Sequence, residues 1–302
     1  MAVESVTGAT PAWFVEYDAA PSKILAHHWP DVPNYGDVTN IDWSTMPPVD
    51  ILTGGYPCQP FSQAGQRKGT TDERHLWPYV REAIRVLRPR LTILENVAGH
   101  RSLGFDRVLG DMAEDGLHVR WTSIRASDIG APHHRERLFI LATPTDPEGS
   151  RRDHGKASHV GTTNREKHAP RDDSHAATDT EGERFSGQQQ SSRSGEAVAG
   201  TNGSLSAFPD SDSRRWGFGP YAPAVRRWER LTRPAPVPTE LNTKGNPRLN
   251  AEFASWMMGL PEGHVTQVPG ISRADQLKAI GNGVCPQQAA AALTTLLEKE
   301  TF

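Results

Sequence analysis

Over the first 143 residues, short apolar runs alternate with stretches of helical periodicity. Trp13-Phe14-Val15 predicts a strand ending at Glu16, and Val49-Asp50-Ile51-Leu52-Thr53 a second strand that runs into Gly54-Gly55. Between Glu73 and Leu87 the apolar residues Leu76, Val80, Ala83, Ile84 and Leu87 recur at helical spacing. Leu91-Thr92-Ile93-Leu94 predicts a buried strand, Phe105 to Met112 a helix, and Arg137 to Leu141 a late strand. Leu249 to Leu260 and Val284 to Leu297 predict two further helices. Strands alternating with helices in this way predict an α/β fold around a parallel sheet.

The pattern breaks at Pro144. From there to Arg215 the chain is rich in Ser, Thr, Gly, Asp, Arg and His, and large apolar residues almost vanish. Such a stretch predicts a flexible insertion. It holds a weak repeat: Thr145-Asp146-Pro147-Glu148-Gly149, Thr178-Asp179-Thr180-Glu181-Gly182 and Pro209-Asp210-Ser211-Asp212-Ser213. A solenoid is excluded because the intervals lack an apolar face to stack. Order is expected to return at Trp216, where Trp216, Phe218, Tyr221 and Trp228 lie among Arg214, Arg215, Arg226, Arg227 and Arg230. Aromatic residues interleaved with cations fit a nucleic-acid grip. They fit a small core with a solvated rim equally well.

Composition narrows the classes. The 302 residues carry a net charge of -3, so no global basic excess points to nucleic acid, and any such contact must come from local clustering. Two cysteines, Cys58 and Cys285, do not make a disulfide framework and suit a reducing, cytoplasmic setting. No apolar run approaches the ~18 to 20 residues of a membrane span. Met1-Ala2-Val3-Glu4-Ser5 lacks the basic start and apolar core of a secretory signal.

Three segments carry candidate chemistry. Gly54-Gly55-Tyr56-Pro57-Cys58-Gln59-Pro60-Phe61-Ser62 follows a strand, where α/β folds place ligands. Its glycines and prolines shape an irregular loop around one thiol, which reacts only as thiolate. Glu95-Asn96-Val97 follows the next strand, so a carboxyl group is expected near the thiol loop, as an acid or a hydrogen-bond partner. Pro132-His133-His134-Arg135-Glu136-Arg137 enters a third strand. Alternation there predicts Arg135 and Arg137 on one face, a pair of guanidinium groups suited to a base edge or a phosphate. His27-His28 and His133-His134 do not predict a metal site, because adjacent strand residues face opposite ways and no third ligand sits at metal spacing.

The three segments in this order resemble the DNA cytosine-5 methyltransferase family: a strand-loop Pro-Cys-Gln, then Glu-Asn-Val, then Arg-x-Arg entering a strand. Asp72 to Trp77 resembles the start of the helix after the family's nucleophile loop. The resemblance covers about 1 to 143 and 247 to 302, and implies a Rossmann-like sheet that binds S-adenosylmethionine, with an inserted target-recognition region over 144–246. It implies that Cys58 adds to C6 of a cytosine flipped out of duplex DNA, while Glu95 protonates or hydrogen-bonds N3. Arg137, with Arg135, would hold O2 and a neighbouring phosphate. Pro57, Gln59, Phe61, Ser62 and Asn96 would line the base pocket. For the cofactor, Glu16 would hold the ribose and Tyr17 the adenine. Gly36-Asp37-Val38 resembles the adenine-contacting turn, and Ala279-Ile280-Gly281-Asn282-Gly283-Val284 the loop that closes over the cofactor. A monomer is expected, with a cognate restriction endonuclease as a possible partner. Methylation of RNA would use the same chemistry, but the long insertion where a DNA reader belongs argues against it.

One departure stands out. A glycine-rich turn should precede the ribose-binding acid by about 20 residues. Glu16 lies only fifteen residues from Met1, which leaves no room for that turn or for the strand feeding it. The sequence reading therefore expects the first strand to be missing and Met1 to be an internal methionine. Its alternative is a DNA-binding remnant with impaired catalysis.

Overall fold

The computed structural model describes residues 1–57, 76–146 and 217–298. They belong to one unit built from Met1–Arg152 and Pro209–Phe302. The apolar run Leu138-Phe139-Ile140-Leu141-Ala142 has no polar face, and it forms the middle of the main sheet. The strands are β1 (Ile51–Gly55), β2 (Leu91–Val97), β3 (Leu117–Arg125) and β4 (Glu136–Pro144), in the order β1-β2-β4-β3. A two-stranded hairpin, β5 (Thr239–Leu241) and β6 (Pro247–Leu249), stands apart from them. The helices are α1 (Ala2–Thr7), α2 (Ala19–His28), α3 (Trp77–Leu87), α4 (Phe105–Glu114), α5 (Ala222–Leu231), α6 (Ala251–Met257), α7 (Arg273–Asn282) and α8 (Pro286–Glu298).

Alternation along β4 sorts its side chains into two cores. Leu138, Ile140 and Ala142 meet Leu94, Trp77, Ala83, Ile84 and Leu87 of α3, and Phe105, Val108 and Met112 of α4. Phe139 and Leu141 meet Ala292 and Leu296 of α8. Helices therefore cover both faces, which is why this strand carries no polar residue between Leu138 and Ala142. A third core joins Val225 and Trp228 of α5 to Phe253 and Trp256 of α6, with Ile280 and Cys285. The Trp228 indole donates to the Trp256 carbonyl at 2.9 Å, so both large rings are buried with their polar groups paired.

Several elements differ from the sequence expectation. The sheet is mixed: β1 and β2 are parallel, but β4 runs antiparallel to both β2 and β3. Residues 126–135 return the chain from β3 to β4 with only the short turn of helix Ala126–Ile129, and a parallel connection needs a longer crossover. The strand expected at Trp13–Val15 shrinks to one bridge, Phe14 to Asn34. Pro33 has no N–H to extend that ladder, and the Asn34 side chain takes the Glu16 amide instead. The helix expected from Leu249 starts at Ala251, because the Asn250 side chain accepts the Glu252 amide and caps it. It ends at Met257, and just beyond it Gly259 (φ 71°) turns the chain where a Cβ would collide with the Gln287 side chain. β3 and α7 were not anticipated. Alternating Leu117, Val119 and Trp121 signal the first, and Ser272, which caps α7 by accepting the Asp275 amide, signals the second.

The α2 helix is tied to the C-terminal segment by two stacked rings. His28 and His264 lie parallel with centroids 4.0 Å apart, and His28 Nε2 donates to the His264 carbonyl at 2.7 Å. Burial, together with the neighbouring charges of His28 and His27, holds His264 down at about 4 against an ordinary 6.5. The depressed value means that His264 contributes stability above pH 6.5, which is lost as pH falls toward 4. Between those limits the unfolded chain binds the extra proton. Urea midpoints are expected to drop between pH 7.5 and pH 5, and His264→Gln to flatten that slope. Separately, Leu94, wholly buried on β2, is expected to cost about 2 to 5 kcal/mol as Leu94→Ala in urea unfolding at neutral pH.

Candidate active site

The parallel register sets Gly55 beside Glu95, and the antiparallel register sets Val97 beside Arg137. The carboxyl ends of β1 and β2 thus meet the start of β4. Arg137 Nε lies 3.0 Å from Glu95 Oε1, with the two side chains 15% and 21% exposed. A Cβ at position 55 would lie 3.4 Å from Glu95 Oε2, so the strand backbone itself comes close to that second oxygen. Burial pushes the Glu95 carboxyl above its usual value, against the opposing pull of the Arg137 and Arg135 charges. Burial and the arginine charges thus act on this carboxyl in opposite senses, while Arg137 fixes where it points.

The chain enters the thiol loop through an anchored tyrosine. Tyr56 is buried, and its carbonyl accepts the Asn96 side-chain amide at 3.0 Å. Asn96 also accepts its neighbour's amide, from Val97, at 2.8 Å. The Tyr56 hydroxyl meets His100 Nε2 at 2.9 Å, while His100 Nδ1 lies 3.0 Å from the Leu103 carbonyl. With Nδ1 donating to that carbonyl, Nε2 accepts from the tyrosine. Burial lowers the His100 value and favours this neutral form. Asn96, expected in the base pocket, is 3% exposed and committed to these two contacts. Pro57 is exposed. Cys58, Gln59, Phe61 and Ser62 lie outside the described residues.

Arg135 departs from the expected arrangement. The strand begins at Glu136, and Arg135 has a left-handed backbone (φ 34°), so strand alternation does not extend to it. Its Nη2 donates to the carbonyls of Gly281 and Gly283 at 2.7 and 2.6 Å. Arg137 is the arginine that pairs with the acid. His133 Nε2 meets the Met257 carbonyl at 2.9 Å, a packing contact between β4's approach and α6.

The residues assigned to the cofactor fit an adenosyl group with a ribose diol. Glu16 Oε1 accepts the Asp18 amide at 2.7 Å, which fixes the carboxylate and leaves its other oxygen for hydroxyl donors. Tyr17, next along, is 78% exposed and presents a flat ring. Asp37 Oδ1 accepts from the Thr39 amide and hydroxyl, both at 2.9 Å, and shapes the turn that holds Val38. Lys278 reaches Asp18 at 2.6 Å, which brings α7, with Gly281 and Asn282 at its end, to the Glu16–Asp18 segment. Sequence reasoning named Tyr56 only as part of the thiol segment and missed His100, Lys278 and Gln288, which lie in no chemical motif and are known by their long-range contacts. The aromatic stretch after Trp216 divides: Phe218 stacks on Phe253 and Trp228 is 1% exposed, whereas Tyr221, Arg226, Arg227 and Arg230 face outward.

The Glu95–Arg137 pair makes a signed prediction. Removing the guanidinium in Arg137→Met takes away a charge that favours the carboxylate, so the Glu95 titration is expected to move further up in pH. Carbon-13 NMR of the side-chain carboxyl reads this directly, and an unmoved or lowered midpoint would refute the pairing.

The profile of the C-5 cytosine-specific DNA methylase family matches residues 2–298. The type II methyltransferase M.NlaIV of Neisseria lactamica is 34% identical over 142 residues, covering 42% of this chain and 33% of that protein. The type II methyltransferase M1.ScrFI of Lactococcus lactis subsp. cremoris is 36% identical over 131 residues, covering 42% and 33%. These matches therefore span a third of the relatives' length. The S. pombe Dnmt2 methyltransferase shares the fold, with a TM-score of 0.57 at 12% identity over all of this chain and 95% of that one. A profile that runs through the β1 loop, the Glu95–Arg137 pair and the α7 turn alike shows that the chain belongs to the C-5 cytosine-specific DNA methylase family.

Proposed function

We propose that this chain methylates C5 of a cytosine flipped out of duplex DNA, through a transient bond from Cys58 to C6. The observation that carries the reading is the Glu95–Arg137 pair beside Gly55, on the strand that leads toward Pro57, with burial raising the Glu95 carboxyl above its usual value. S-adenosylmethionine supplies an electrophilic methyl group on a sulfonium sulfur. Cytosine C5 is a poor nucleophile until a group adds at C6. The Cys58 thiolate forms the C6–S bond, and the ring's displaced electron pair moves toward C5. Glu95 donates to N3, and Arg137 holds the carboxyl in place and faces O2. C5 takes the methyl group while the sulfonium's bonding pair stays on its sulfur, which would leave as a neutral thioether. A water or hydroxide then takes the C5 proton, and the freed pair reforms the C5–C6 double bond as the C6–S bond breaks. The N3 proton returns to Glu95, which frees the thiolate and restores the ring. Each partner acts on a different ring atom, and an extruded base exposes them all.

Glu16 and Tyr17 hold the ribose and adenine, Asp37 and Val38 shape the adenine turn, and Gly281 and Asn282 close the site. Gln59, Phe61 and Ser62 complete the base pocket beside Pro57. The catalytic lobe joins 1–143 to 247–302, and 144–246 chooses the DNA sequence. The outward cations Arg226, Arg227 and Arg230 support a phosphate contact there, while the buried face of α5 serves packing. Relatives named as type II methyltransferases support a restriction–modification setting, with an endonuclease of the same specificity as partner. The methylase acts as a monomer.

Labelled S-adenosylmethionine and unmethylated duplex DNA test the reading. Label is expected in DNA as 5-methylcytosine at one sequence. It is expected to vanish with Cys58→Ala and to fall about 10² to 10⁴-fold in rate with Glu95→Gln. Label that persists with Cys58→Ala sinks the covalent route. DNA binding without label from the wild-type chain favours the remnant that binds and does not methylate.

A further inference from the structure

The left-handed Arg135 has contacts that its strand position does not explain. Gly281 and Gly283 end α7, and a helix leaves its last carbonyls unpaired, at the negative end of its dipole. One guanidinium nitrogen of Arg135 satisfies two of these carbonyls at 2.7 and 2.6 Å. The backbone that aims it is held in turn. Gln288, on α8 and fully buried, donates through Nε2 to the Arg135 carbonyl at 2.8 Å and to the Ile124 carbonyl at 2.6 Å. The His134 carbonyl accepts the Ala126 amide at 2.7 Å. A non-glycine residue in this conformation costs about 1 to 2 kcal/mol, so it persists only where the surroundings dictate it. About one turn back along α7, Lys278 is tied to Asp18, two residues past Glu16.

From these contacts we infer that Arg135 is a positioning residue: it caps α7 and holds the Gly281–Gly283 turn in the shape that binds the cofactor, with Gln288 locking its backbone. This assigns it to the cofactor side of the site and not to a DNA phosphate. It rests on the methyltransferase reading only for the identity of the cofactor. The charge of Arg135 also acts on Glu95, so the same residue joins the cofactor turn to the base-facing acid. The device consists of one cation, two carbonyls and a buried amide that fixes the turn between them.

Three variants in the full chain test it: Arg135→Ala, Arg135→Lys and Gln288→Met, each checked for wild-type circular dichroism. Hydrogen–deuterium exchange is read first, without cofactor. Arg135→Ala is expected to speed exchange at the end of α7 and through Val284, where the Gly283 amide bonds the Ala279 carbonyl. Arg135→Lys keeps a cation and is expected to restore part of the protection. Gln288→Met keeps the bulk, loses the donor, and is expected to loosen the same segment. Calorimetric affinity for S-adenosylmethionine is expected to fall about 10-fold in Arg135→Ala, the scale of one lost charge-assisted contact. Affinity for cofactor-free duplex DNA is expected to stay within about twofold, since no phosphate contact is lost. Unchanged exchange overturns the inference, as does a drop in DNA affinity with cofactor affinity intact. A wild-type chain that binds no S-adenosylmethionine would count against the methyltransferase reading alone, because the exchange measurement decides the cap without it.

Discussion

The antiparallel ladder between β2 and β4 is the constraint on which the site depends. It puts Val97 opposite Arg137 and Asn96 opposite Leu138, so the arginine at the start of one strand meets the acid near the end of the other. A slip of one residue would turn every side chain of β4 to the opposite face. Leu138, Ile140 and Ala142 would then leave the core with α3 and α4, and Phe139 and Leu141 the core with α8. Apolar burial on both faces thus pins the register, and the register places the charged pair. The chemistry borrows its precision from the hydrophobic core.

That pair is balanced between two opposing effects. Burial disfavours the Glu95 carboxylate, and the nearby guanidinium groups favour it. The first wins, which leaves a carboxyl group able to keep a proton at higher pH than an exposed one. A partly buried ion pair is poor evidence for stability, because desolvation offsets the attraction. What the contact does fix is geometry: the arginine sets where the carboxyl points. The neutral groups around it carry the structural work. Asn96, Tyr56 and His100 form a satisfied buried network that anchors the chain just before Cys58.

The C-terminal helices extend the same logic to the cofactor side. α8 packs on the outer core of β4 and carries Gln288 beneath Arg135. The C-terminal half of α7 carries both the Lys278–Asp18 ion pair and the Arg135 cap. Segments far apart in sequence are therefore joined through the last turns of one helix. Glu95 and the Gly281–Gly283 turn share Arg135 as a common neighbour.

Much of this was legible in the sequence where a local rule sufficed. The apolar runs at Leu91–Leu94 and Leu138–Leu141 identified buried strands, and the spacing from Leu76 to Leu87 identified α3. Pro57-Cys58, Glu95-Asn96-Val97 and Arg135-x-Arg137 carried the family resemblance because each is a short segment tied to a strand end. The direction of β4, the role of Arg135 and the burial of Trp228 were not legible. Strand direction depends on how the chain returns from β3, and residues 126–135 carry no periodicity that tells a hairpin-like return from a crossover. Arg135 obeys strand alternation only if it is in the strand, and the carbonyl of this positive-φ residue is held by Gln288, 153 residues away. An aromatic residue among arginines reads alike as a base-stacking platform or a core, until α6 supplies the Trp256 carbonyl that pairs with the Trp228 indole. The sequence by itself determined the layer pattern, the candidate acid and the candidate nucleophile, because periodicity and motif are local properties. Tertiary structure alone decided which charges meet and which aromatic residues are buried, because those outcomes depend on contacts between segments that share no local signal.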